Sequence, residues 1–358
     1  MKRLLIVPLM LVALSCRAAS PDLDVKQIAR DVYVASRPDP LRYFVEGNAT
    51  IIVNEQDVVV VDGGGSPEAG RNLVAAIRKM TSKPVRYLIA THDHVDHNLG
   101  NQEFVRAWPG IELISSSYTR DQLATSGRDY VRKTVAEADS IPVRGKRTID
   151  RLTREAKPGS EAVVAYWKRY IDHDGPVRIA QYRKTVITPA TLTVDDSLTL
   201  HRGRRTIRIL HLGAGDTPGD LVIHLPQDRM VCIGDMGTAP VPYGFSEHPF
   251  EWARTLAKVD SLAFDQIVPG HGDVQPRAYL HRLIALQQSV LEQVRDARRR
   301  GVSADSAAAH VAADAFLAAS PREDPVFRYR FENWFMRPHV QQLFDALAEA
   351  DSTGKPPR

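Results

Sequence analysis

The sequence predicts an α/β sandwich followed by helices, and three observations carry that prediction. A continuous β-branched run, Val58 to Val61, lies between an alternating segment and a helix-periodic one, as expected of a strand buried on both faces. Strand patterns return after a charged, helix-periodic interruption over residues 118–185. Beyond Gly272 the pattern is helical.

The elements follow in order. Asp31 to Ser36, Tyr43 to Val45 and Ala49 to Val53 alternate as a meander. The valine run ends in Asp62-Gly63-Gly64-Gly65, and Ser66-Pro67-Glu68 then supplies helix-starting chemistry. A helix from about Ala69 to Met80 and a strand from Val85 to Ala90 complete a strand–helix–strand unit. Within the interruption, Arg120 to Ala138, Thr148 to Ala156 and Glu161 to Tyr170 read as helices of an insertion over one rim of the core. Strands resume at Thr185 to Leu200, Thr206 to Leu210, Leu221 to Leu225 and Met230 to Ile233. Tyr279, Leu280, Leu283, Ile284, Leu291 and Val294 form an apolar helical stripe, and Arg298 to Arg300 before Gly301 read as its C-terminus. The expected organisation is a leader over residues 1–20, a domain over 21–275 carrying the insertion, and a helical extension over 276–358.

Composition narrows the class. The chain has 358 residues, 43% of them hydrophobic, which fits a soluble globular protein and excludes collagen-like, disordered and polytopic membrane classes. Its 47 basic residues face 43 acidic ones, and Lys2, Arg3 and Arg17 lie in the leader, so no nucleic-acid partner is expected. Two cysteines make no disulfide framework. Lys2 and Arg3 before the apolar run Leu4 to Leu14 read as an export signal too short to span a bilayer. Ala13-Leu14-Ser15-Cys16 is similar to a lipoprotein box, which would anchor Cys16 to lipid and make that anchor the only membrane contact. Cleavage near Ala18 to Ser20 is the alternative, leaving a periplasmic or secreted protein.

The chemistry concentrates in Thr91-His92-Asp93-His94-Val95-Asp96-His97, directly after a strand. Three histidines and two aspartates on such a loop would be costly to desolvate, and a divalent cation removes that cost by taking imidazole and carboxylate as ligands. His92 and His94 point the same way on an extended segment and can clamp one ion, while Asp96 and His97 on the following turn face a second.

This HxHxDH pattern resembles the signature of the metallo-β-lactamase superfamily, and further elements of that family stand in order. Asp62 closes the valine strand, Gly215-Asp216-Thr217-Pro218-Gly219 takes the place of the family's GHTxG loop, and Ile233-Gly234-Asp235 and Pro269-Gly270-His271-Gly272 follow. The resemblance implies an αββα sandwich and an exported metallohydrolase with two divalent ions, zinc above all. It implies that His92, His94 and Asp216 hold the first ion, that Asp96, His97 and His271 hold the second, and that Asp235 bridges both. Asp62 and Thr217 would support the ligand loops, and Asp96 would also orient a hydroxide held between the ions.

Position 216 departs from the family, which usually has His there. Three carboxylates and a hydroxide then balance two dications, whereas His would leave one net positive charge. The expected consequence is a less electrophilic first site, with weaker zinc occupancy or a preference for a harder ion such as Mn or Fe. His211 is a weaker candidate for the missing ligand, being out of register on a strand. The loop Pro240 to Trp252 borders the site, so Tyr243 is a candidate oxyanion donor and Phe245 a pocket residue, with packing of the loop as the competing reading. His248 lies on the same loop. His173, His201, His224, His281, His310 and His339 read as surface or core residues, Cys232 as a core residue, and Phe327 to Phe335 as a helix-docking cluster. Export favours a small amide, lactam, lactone or ester as substrate. Phosphodiester or thioester hydrolysis, or metal and ligand binding with weak catalysis, are the alternatives.

Overall fold

The computed structural model describes residues 23–37, 46–246 and 248–357. The leader with Cys16 and the strand expected at Tyr43 to Val45 lie outside the described residues. No helix among the described residues is long and apolar enough to cross a membrane.

Among the described residues, thirteen strands form two sheets. The first takes β1 (Asp24–Ala29), β2 (Val32–Ser36), β3 (Ala49–Val53), β4 (Val58–Val61), β5 (Val85–Ile89), β6 (Glu112–Ser115) and β7 (Leu192–Thr193), side by side in sequence order. It is antiparallel as far as β4 and parallel from β4 to β7. The second runs β13-β12-β11-β10-β9-β8, built from β8 (Ser197–Arg202), β9 (Arg205–Leu210), β10 (Val222–Leu225), β11 (Met230–Cys232), β12 (Gln266–Val268) and β13 (Gln275–Pro276). Only β11 and β12 are parallel there.

Two strand expectations change. Asp31 sits at φ 61 in the turn between β1 and β2, so that strand begins at Val32. The long strand expected from Thr185 to Leu200 is mostly irregular, leaving only β7 and the start of β8. The Gln102 side chain takes the Val186 N–H, and Thr191 Oγ1 accepts the Leu113 N–H, so side chains occupy groups that a ladder would use.

Helices α1 (Pro67–Met80), α2 (Val95–Asn98) and α3 (Asn101–Ala107) follow the valine strand and the ligand loop. Ser66 caps α1 as its residue type predicts, accepting from the Ala69 N–H at 3.1 Å. Between β6 and β7 stand α4 (Ser117–Gln122), α5 (Arg128–Ala136), α6 (Ser140–Glu155), α7 (Ser160–Arg169) and α8 (Gly175–Tyr182), where the sequence placed its helical segment. After β11 come α9 (Pro249–Asp260) and, past β13, α10 (Arg277–Arg299), α11 (Ala304–Ala308), α12 (Asp314–Leu317), α13 (Pro325–Arg330) and α14 (Arg337–Thr353).

Three apolar cores define the layers. Val32, Ile52, Val59 and Ile89 of one sheet meet Ile207, Ile209 and Ile223 of the other, all essentially inaccessible to water. Ile51, Val58 and Val60 on the outer face of the first sheet pack against Leu73 and Ile77 of α1 and Phe104 of α3. Val222, Val231 and Ile267 of the second sheet pack against Trp252, Leu283, Val290, Phe335 and Val340 of the later helices. The order helix–sheet–sheet–helix is the αββα sandwich that the motifs imply.

Candidate metal centre

The site forms at one rim of the sandwich, where the C-terminal ends of β4, β5, β11 and β12 meet the turn that leads into β10. Buried strands fix the backbone of each end, so the polar residues just beyond them converge. Asp62 follows β4, His92 and His94 follow β5, Asp235 follows β11 and His271 follows β12, with Asp216 on the turn before β10. Gly270 is required by close approach: a Cβ there would lie 1.9 Å from Asp235 Oδ1.

Two ligand groups result, His92 with His94, Asp216 and Asp235, and Asp96 with His97 and His271. Asp235 lies between them. Its Oδ2 is 3.6 Å from His92 Nε2 and 3.5 Å from His94 Nδ1. Its Oδ1 is 3.4 Å from His97 Nε2 and 3.5 Å from His271 Nε2. Asp216 Oδ2 stands 3.4 Å from His94 Nδ1, and Asp96 Oδ2 stands 3.1 Å from His271 Nε2. These separations fit a divalent ion, since ligands about 2.1 Å from a tetrahedral centre lie about 3.4 Å from one another.

The polar accounting points the same way. His92 Nε2, Asp216 Oδ2 and Asp235 Oδ1 are buried without any hydrogen-bond partner, an arrangement that costs stability unless a cation takes the lone pairs. Burial works against a charged His94, yet Asp216 and Asp235 outweigh it and lift the group to about 10. His271 is likewise held up at about 9 by Asp235 and Asp96 against its burial. Burial and the Asp235 charge push Asp216 up to about 6, while His271 and His97 hold the buried Asp235 well below the usual carboxylate range. The cluster is a field that demands positive charge at its centre.

Supporting bonds orient the ligands. Asp62 Oδ2 lies 2.9 Å from His97 Nδ1, which turns His97 Nε2 inward, and Asp62 Oδ1 accepts the Thr91 N–H at 2.8 Å. Thr91 Oγ1 lies 2.9 Å from His92 Nδ1. Asn98 donates to the carbonyls of His92 and His94, both at 2.8 Å, and so locks the ligand loop. Thr217 acts through Asp220: its N–H and hydroxyl donate to that carboxylate, which ties the turn carrying Asp216. Ser246 donates to the Gly215 carbonyl of that same turn.

The sequence reading missed Asp220, Asn98 and Ser246. Asp220 is buried and pushed up to about 7 by its burial and by Asp216; the second Asp of the Gly215 to Asp220 stretch was its available signal. His211 does not join either ligand group, because its Nε2 lies 3.0 Å from the Pro218 carbonyl. His224 and His339 are buried away from the site, as their scattered spacing suggested. Cys232 is a core residue whose thiol burial pushes up to about 12. Burial and the charges of Asp216, Asp235 and Asp96 raise the Tyr243 phenol, and its ring lies 4.7 Å from that of Phe245.

The chain is similar to known proteins in sequence and fold. Over 249 residues, 67% of this chain, the sequence is 22% identical to a linear primary-alkylsulfatase of Pseudomonas sp., and it covers 44% of that enzyme. A stereoselective inverting sec-alkylsulfatase from Pseudomonas sp. superposes with a TM-score of 0.58 at 14% identity, covering 93% of this chain and 52% of its own. A metallo-β-lactamase from Pontibacter korlensis superposes at 0.51 with 16% identity, covering 75% of this chain and 99% of its own. The chain thus spans less than half of the curated alkylsulfatase that it matches. The sequence pattern of the metallo-β-lactamase superfamily matches residues 42–271, well over half of the length, and the chain belongs to that superfamily.

Proposed function

We propose that the protein is an exported, dinuclear metal-dependent hydrolase that cleaves a C–N or C–O bond in a small amide, lactam, lactone or ester. The observation that carries this reading is Asp235, whose two oxygens divide between two groups of imidazole and carboxylate ligands. His92, His94, Asp216 and Asp235 would hold one ion, and Asp96, His97, His271 and Asp235 the other. When bound, a pair of divalent ions supplies activated water and polarises the oxygen of the scissile group.

The chain's own residues do the rest. Asp96, whose Oδ2 stands 3.1 Å from His271 Nε2, would serve as ligand and accept a hydrogen bond from the attacking water. Burial and the nearby Asp216 and Asp235 raise the Tyr243 phenol, which stays protonated and able to donate to a developing oxyanion. Asp216 in place of His makes the first group richer in carboxylate, which favours a harder ion there.

A second reading, hydrolysis of a sulfate ester, is favoured by the two alkylsulfatases. Both readings are tested by one experiment on the chain purified without chelators. Metal per chain is counted by mass spectrometry, and hydrolysis of β-lactams, lactones, carboxylic esters and alkyl sulfates is followed before and after chelation. Two ions per chain and chelator-sensitive cleavage of a lactam, lactone or ester support the first reading. Cleavage of alkyl sulfates alone selects the second. At most one ion with no turnover rejects both in favour of a binding protein.

A further inference from the structure

We propose that the C-terminal helices position the pocket loop through a backbone latch, in which the Trp334 carbonyl holds the Gly244 amide between Tyr243 and Phe245. The kinetic part of this inference rests on the hydrolase reading, and the structural part does not. Gly244 N–H donates to the Trp334 carbonyl at 2.8 Å. The approach is close enough that a Cβ at position 244 would lie 2.4 Å from the Phe335 carbonyl oxygen and 2.8 Å from its Cα, so only glycine fits.

The sequence explains why that carbonyl can accept. In a regular helix the Trp334 carbonyl would take the N–H four residues on, and that residue is Pro338, which has none. The turn Phe331–Met336 is widened to the π form, a geometry that redirects backbone groups. The turn is firmly seated: Phe327, Phe331 and Phe335 are buried and follow one another at ring separations of 5.9 and 5.4 Å. At its other end the loop is fastened by Ser246, fully buried, whose hydroxyl donates to the Gly215 carbonyl beside Asp216. Tyr243 therefore leads into a segment pinned to the C-terminal helices and then to a ligand turn. Gly244 and Pro338 are positioning residues, separated by 94 positions in sequence yet acting on one loop.

The test uses Pro338→Ala in the metal-loaded full chain. The new amide competes for the Trp334 carbonyl, and alanine favours the helix, so the fold is retained. Hydrogen exchange in residues 240–246 is expected to rise about tenfold, as for loss of one hydrogen bond. Metal content and melting temperature should not fall, and KM for an ester that the wild type cleaves should rise about fivefold with kcat little changed. Trp334→Phe keeps the carbonyl and is expected to leave exchange in the loop unaltered. Unchanged exchange in Pro338→Ala overturns the latch, as does an equal rise in Trp334→Phe, which would assign the effect to side-chain packing. Faster exchange with unaltered KM overturns the positioning role. If the wild type cleaves nothing, the hydrolase reading fails and the exchange data alone decide the latch.

Discussion

The two ligand groups differ in how they are held. In the second, His97 is fully buried and braced by Asp62 at the end of a core strand, and Asp96 stands on the short helix that follows. In the first, the His94 side chain is 37% exposed and faces Asp216, which comes from a turn of the opposite sheet. That turn owes its shape to Thr217, Asp220 and Ser246 rather than to a strand end. The comparison teaches that one ion site would be inherited from the sandwich itself, while the other depends on whether a polar turn brings a carboxylate to it. Asp235 lies between the two, with one oxygen near each.

Removing the shared residue should therefore do the most. Asp235→Asn is expected to lower bound metal from two ions to at most one and turnover by more than about 100-fold, beyond what loss of a supporting partner causes. Two tightly held ions in that variant would show that the groups are independent. Asp62→Asn should act mainly on one side: it removes the carboxylate that turns His97 inward, weakening the second ion by about 10- to 100-fold. It reaches the first group only indirectly, through Thr91 and its contact with His92, so the first ion should weaken less. Titration of each variant with zinc, monitored by calorimetry, separates the two sites. Equal weakening of both would mean that the two groups are held alike.

This asymmetry also explains what the sequence disclosed. The HxHxDH run was legible because ligand atoms spaced two residues apart on an extended backbone share a direction, whatever the rest of the chain does. The Val58 to Val61 strand, the helical segment after β6 and the alternation into α1 were legible from local pattern for the same reason. Asp220 was not, since a short acid in a Thr-Pro-Gly stretch looks like any turn residue until Thr217 folds onto it. Ser246 and Gly244 were hidden for a different reason: their partners, Gly215 and Trp334, lie far off in sequence, and no periodicity records a backbone carbonyl. The strand expected from Thr185 to Leu200 failed over residues 185–191, where side chains of Gln102 and Thr191 took over backbone groups.

The Asp216 substitution sharpens the comparison at smaller amplitude. Asp216→His restores a softer donor set to the first group, so its preference for zinc over manganese should rise about tenfold in competition measured by mass spectrometry. The second group should keep its wild-type preference. An unaltered ratio at both sites would mean that position 216 does not hold an ion.

The smallest effect is a pH dependence that exists only in the chelated protein. His94 and His271 are raised to about 10 and about 9, above the ~6.5 of an unfolded imidazole. The chelated fold then retains protons that the unfolded chain has already released. Its added stability is complete below about pH 6.5 and is lost as pH rises through 9 to 10. Asp216 and Asp220, raised to about 6 and about 7, act with the same sign in the window above ~4, so they do not offset it. Bound ions require neutral imidazoles and displace those protons, which removes the slope. The melting temperature of the chelated protein should fall by a few degrees between pH 6.5 and 10 relative to the zinc-loaded protein. Parallel curves for the two forms would mean that carboxylates and imidazoles do not share protons across this site, and the field argument for the cation would be lost with them.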